Sequence, residues 1–167
     1  SITTTTSGNI SLGAVSSGSV GDVTISSAGT ITNAADDAGA EVTADVFTVS
    51  TSGAIGASGG NGAIDVSVGT ITLGSGTSIS SAIYIDDVAT GGTTAIGGIT
   101  ATGQTLTLTS TQALNITGAV TTSGSAGATA GNAGAINIST TSGNITVGNT
   151  VKADGGNDTD GSGQDGD

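Results

Sequence analysis

Oxygen donors crowd the end of this chain: Asp154, Asn157, Asp158, Asp160, Asp165 and Asp167 lie close together after Lys152. Carboxylates and carboxamides at such density are what a hard cation such as Ca²⁺ selects. Asn157-Asp158-Thr159-Asp160-Gly161 alternates donors in the manner of a calcium loop. It lacks the twelfth-position glutamate of an EF-hand and does not match the nonapeptide of calcium β-rolls. Calcium is thus the cofactor this stretch could hold, and a solvated acidic tail is the competing reading. Elsewhere, carboxylates occur in two adjacent pairs, Asp36-Asp37 and Asp86-Asp87. Side chains of neighbouring strand residues point to opposite faces, so neither pair makes a convergent acid/base couple, and both read as solvated corners. With no His, Cys or Arg and one Lys, the chain lacks the usual bases and oxyanion-stabilising cations. An enzyme is not expected.

A third set of candidates is polar-apolar-polar: Asn9-Ile10-Ser11, Thr30-Ile31-Thr32, Thr70-Ile71-Thr72, Asn115-Ile116-Thr117 and Asn144-Ile145-Thr146. Stacked outward, these would form two polar rows like the flat face of an ice-binding solenoid. Any exposed parallel sheet favours the same residues, because β-branched polar side chains fit the pleat.

These residues must be carried on strands. Apolar-polar-apolar triplets, Val23-Thr24-Ile25, Ile64-Asp65-Val66, Ile83-Tyr84-Ile85, Leu106-Thr107-Leu108 and Ile136-Asn137-Ile138, alternate with the polar-apolar-polar ones. Period-two alternation marks half-buried strands. The phrase Ser142-Gly143-Asn144-Ile145-Thr146-Val147-Gly148 nearly copies Ser7-Gly8-Asn9-Ile10-Ser11-Leu12-Gly13, and such recurrence is the mark of a repeat architecture. Abundant Thr, Ser, Val, Ile and Gly without a 3.6-residue stripe argue against helices. Expected is an all-β fold: one parallel β-helix of about seven coils, each of roughly 19–30 residues. Its predicted inward columns are Ile25, Val66, Ile85, Leu108 and Ile138 in one sheet, and Ile10, Ile31, Ile71, Ile116 and Ile145 in another.

Composition agrees with a narrow interior. Hydrophobic residues make up 34% of the 167, but the aromatics are only Phe47 and Tyr84. The 31 glycines and absent proline exclude collagen. A net charge of −12 opposes nucleic-acid binding, which needs cations for the phosphates, and no apolar run is long enough for a membrane span. One domain over 1–167 is expected, with 152–167 as an acidic Gly/Asp-rich loop or tail. Gly/Ser/Ala-rich inserts at 52–62 and 123–134 interrupt the corners. Setting Val151 against Val120 places the tail upon the second insert. Both ends then read as cuts within a continuing array, or as open rungs awaiting another copy.

The SGNIT(V/L)G strands, the Gly/Ser/Ala inserts and the near absence of Lys, Arg, Cys and aromatics together resemble the filamentous-haemagglutinin-type β-helix repeats of large bacterial surface and secreted proteins. The likeness covers most of the chain and is weakest over 34–63 and 86–98. It implies an extracellular, bacterial cell-surface location and a structural role: a filament or matrix subunit assembled head to tail from copies of itself or adjoining repeats. The rival role it implies is an adhesin stalk or binding module whose partners would be cell-surface glycans.

Overall fold

A computed structural model describes residues 1–35, 38–59, 61–128 and 130–159. Strands are β1 (Ile2–Thr3), β2 (Ile10–Leu12), β3 (Val15–Ser16), β4 (Val23–Ser27), β5 (Ile31–Asn33), β6 (Val42–Thr51), β7 (Ile64–Leu73) and β8 (Ile83–Asp87). There follow β9 (Thr93–Thr100), β10 (Leu106–Ser110), β11 (Ala113–Ile116), β12 (Val120–Thr121), β13 (Ile136–Thr140), β14 (Ile145–Val147) and β15 (Val151–Lys152). No helix occurs among the described residues, and every strand pairing is parallel. The chain is a β-solenoid: it returns once per turn to lie on the strand before it.

Three inward columns define the tube. One runs Ile10, Ile31, Ile55, Ile83, Leu106, Ile136. A second runs Val23, Phe47, Ile71, Ile96, Ile116, Val147. The third runs Ile2, Ile25, Val49, Leu73, Ile99, Val120, Val151. Between Ile10 and Ile136 the first column advances five times, so the solenoid has about five turns and not seven. The higher expectation counted the incomplete end rungs as whole coils.

The predicted columns are right in part. Ile85, Leu108 and Ile138 do stack, Ile31 lies on Ile10, and Ile71 and Ile116 share a column through Ile96. But Ile25 belongs with Val49, Val66 lies between Val42 and Asp87, and Ile71 runs on to Ile96. Ile145 pairs with Leu114, while Ile116 pairs with Val147. The cause lies in β6 and β7, which turn a corner without leaving the strand. Ala44 and Phe47 are both buried with two residues between them, as are Val68 and Ile71. This slip of the period-two phase reads as noise in a search for strict alternation. The region of weakest repeat resemblance therefore contains one of the two longest strands.

The phrase shared by residues 7–13 and 142–148 marks a corner and not a column. Ile10 heads the first column, whereas Ile145 lies on Leu114. What the copies share is a glycine at positive φ, +122° at Gly8 and +90° at Gly143, a conformation that costs glycine no steric penalty.

Other corners use a second device. A polar side chain at or near the strand end accepts the N–H two residues on: Ser27 from Gly29 (3.2 Å), Asn33 from Ala35 (2.9 Å), Thr51 from Gly53 (3.0 Å), Asp87 from Ala89 (3.2 Å) and Ser110 from Gln112 (3.1 Å). These local turns satisfy donors that the ladder has just released. They explain how Ser27, Thr51 and Ser110 sit inside the tube with their hydrogen bonds made.

Backbones also touch directly. A Cβ built on Gly118 would overlap the carbonyl of Gly97 in the rung beneath. Gly118→Ala is expected to destabilise the fold by about 1–3 kcal/mol, since neither backbone can yield without breaking its ladder. An unchanged melting temperature would show that the rungs can part at no cost.

Candidate functional site

Two places collect unusual side chains: a polar box inside the tube, and the last rung.

The box is built around Asp87, the inward residue ending β8, only 1% exposed. Its Oδ2 accepts hydrogen bonds from the Thr94 hydroxyl (2.6 Å) and the Ser110 hydroxyl (2.7 Å). Gln112 donates from Nε2 to Thr94 Oγ1 (2.7 Å) and accepts at Oε1 from Gly92 N–H (2.8 Å). No buried side-chain polar atom among the described residues lacks a partner. Asp87 continues a column that is apolar below it, Val15, Val42 and Val66, and becomes Ser110 and Thr140 above it. The expected solvated corner at Asp86-Asp87 is thus corrected: the pair lies within β8, pointing to opposite faces as alternation requires, with Asp87 inside. The sequence signal was the alternation Ile83, Ile85, Asp87. Sealed from solvent, this carboxylate reaches no external substrate. Asp36 and Asp37 lie outside the described residues.

A second buried carboxylate, Glu41 (2% exposed), accepts the Asp65 N–H at 2.7 Å. It lines an open groove of about 300 Å³ with Gly13, Ala14, Ala35, Gly39 and Ala40.

The last rung consists of β13, β14 and β15, which pair with β10, β11 and β12 respectively and with no other described strand. Its apolar side chains point the same way as those of the rungs beneath, yet Ile145 is 39%, Val147 59% and Val151 42% exposed. In the same columns Ile116 and Val120 are at 2% and 0%. The difference is that no described strand covers them, whereas an inward residue of the rungs beneath is covered by the next one. Ile145, expected inward and buried, is inward and open.

After Lys152 the chain follows the second insert as the spacing predicts, with Val120 against Val151 and Gly127 against Asp158. Gly124 N–H donates to the Asp154 carbonyl (2.8 Å) and Gly127 N–H to that of Asn157 (3.2 Å). The Asp154 carboxylate is turned to Lys152 Nζ at 2.9 Å, both side chains about half exposed. Among the described residues no three acidic groups converge on one point; of the expected calcium ligands, Asp154, Asn157 and Asp158 lie on the described part of the tail. Asp160, Asp165 and Asp167 lie outside the described residues.

The five polar triplets do not form one face. Ser11 pairs with Thr32, but Thr70 lies under Ala95, Asn115 and Thr146 in a separate row, and Thr72 meets Gly98. Asn144 falls two residues out of register with Asn115, because Asn115 pairs with Thr146. Tyr84 sits in an outward row with Thr107 and Asn137.

What the arrangement offers is an apolar, hydrogen-bonding end surface on a rigid tube. No family model, no curated protein and no solved structure matches the chain.

Proposed function

We propose that this β-solenoid is a subunit or repeat segment of an extracellular, bacterial cell-surface fibre, in which its last described rung is covered by the first rung of another copy or of an adjoining repeat. The observation that carries the reading is the exposed apolar set Ile145, Val147 and Val151, aligned with fully covered columns. Unpaired strand edges are templates for further pairing. A heterologous contact of this kind propagates instead of closing. The location rests on the resemblance to haemagglutinin-type repeats. Copies carrying −12 each repel, so assembly strengthens with ionic strength. Calcium enters only as a cation at the acidic tail that reduces this repulsion.

Sedimentation velocity with electron microscopy, run with calcium and with a chelator, tests the proposal. The expected result is rods that lengthen with concentration. Val147→Asp with Val151→Asp should weaken association by about 100-fold or more, because each carboxylate would be desolvated at the junction. A chain that stays monomeric in every condition overturns the reading.

A further inference from the structure

The order of contacts inside the polar box matters as much as its polarity. Thr94 lies on β9 and Gln112 on the corner between β10 and β11, 18 positions apart. Thr94 Oγ1 touches two groups of opposite chemistry. It donates its proton to Asp87 Oδ2 at 2.6 Å and receives a proton of Gln112 Nε2 at 2.7 Å. The hydroxyl therefore has a base on one side and, one bond beyond Nε2, an amide carbon on the other. Gln112 Oε1 accepts Gly92 N–H at 2.8 Å. That bond fixes which way the amide points, since only its oxygen can accept. It also places a donor where negative charge would develop if the amide carbon were attacked. Nucleophile, base, electrophile and oxyanion donor are all in contact, and β9 is held by ladders to β7 and β11.

We infer that Thr94 and Gln112 are set to join as an internal ester, with Asp87 as the catalytic base. Thr94 Oγ1 attacks Gln112 Cδ while its proton passes to Asp87 Oδ2. The tetrahedral intermediate carries its charge on Oε1, facing Gly92 N–H. Collapse breaks the Cδ–Nε2 bond, and the proton held by Asp87 goes to the departing nitrogen. The products are one ester and one ammonia. Nothing is oxidised or reduced, and the Asp87 carboxylate is restored.

In water an amide outlasts an ester, and two features reverse that order here. Ammonia leaves and becomes ammonium in solvent, while the water that would hydrolyse the ester is kept out of the tube. Gln112 is the least buried of the four box residues and Gly92 is exposed, so the leaving group departs at the corner surface. Fixed contact replaces the encounter that makes such a reaction negligible between free side chains. Ser110 is a positioning residue. Its hydroxyl also donates to Asp87 Oδ2 (2.7 Å), but its oxygen receives the backbone N–H of Gln112 (3.1 Å) and not the side-chain amide. The chain folds first, with the box hydrogen-bonded, and the ester accumulates afterwards. Thr94 pairs in register with Leu114, so the new bond ties one turn to the next and restricts the unfolded chain. None of this depends on the stacking of copies.

The intact mass of the folded 167-residue chain, followed through prolonged incubation at neutral pH, tests the inference. It is expected to fall below the mass of the sequence by one ammonia. Chymotryptic cleavage after Leu106 and Leu108, between the two residues, should leave the Thr94 and Gln112 peptides joined, and hydroxylamine should separate them. Thr94→Ser should keep the loss and Thr94→Val abolish it. Asp87→Asn should slow it at least about 100-fold. A succinimide at Asn61-Gly62 would lose the same mass, but it would persist in Thr94→Val and leave no joined peptides. A folded parent chain whose mass never falls overturns the ester. So does a loss that maps to Asn61, or one that Thr94→Val shows in full.

Discussion

Phe47→Ala is expected to destabilise the fold by about 3–5 kcal/mol, the cost of emptying a fully buried aromatic site. For a chain of 167 residues this corresponds to roughly 6–20 °C in melting temperature. Phe47 has no measurable exposure and lies between Val23 and Ile71 in its column. Its neighbours are aliphatic side chains anchored to ladders on both sides, so they cannot collapse into the space it leaves. No other aromatic lies in the described core to take up the slack. Val20→Ala, at a position 89% exposed, is the matched control and should stay within about 0.5 kcal/mol of the parent. Equal melting of the two variants would mean that the tube is loosely packed.

Asp87→Ala is the second large effect, at about 2–4 kcal/mol. The carboxylate is the acceptor for two buried hydroxyls and one amide. Removing it leaves Thr94 and Ser110 to find other acceptors in a sealed interior and takes the cap from Ala89. The damage should come from the orphaned partners and not from lost volume. Asp87→Val combined with Thr94→Val and Ser110→Ala, which extends the apolar column of Val42 and Val66, should therefore recover most of the loss. Thermal melting of the single and triple variants decides it. A single variant within about 1 kcal/mol of the parent would show that the box is dispensable.

The strands and the aliphatic interior were legible in the sequence because a stacked sheet imposes both. Inward positions of successive turns must be apolar and similar in size, and that is what the Ile, Val and Leu triplets display. Register was less legible. It depends on how many residues each corner consumes, and the corners differ: six positions separate Ile25 from Ile31, but sixteen separate Val120 from Ile136. The slips inside β6 and β7 added to the error, and they account for the misplacing of Val66 and Ile71. Asp87 escaped because adjacent acids usually signal solvent. Here the turn device and two hydroxyls from other parts of the chain make an interior place for one of them. The resemblance of residues 7–13 to 142–148 belongs to corners and not to stacked positions, since Ile10 pairs with Ile31 and Ile145 with Leu114.

Every pairing between the described strands joins residues 20 to 31 positions apart and none joins distant parts of the chain. Closing each turn therefore carries nearly the same loop entropy as the last. Growth from one formed pair of rungs needs no large search, and β6 with β7, which share the longest register, are the natural seed. A chain of this kind matures like a crystal with two growing faces, and under tension it should yield one turn at a time from its ends.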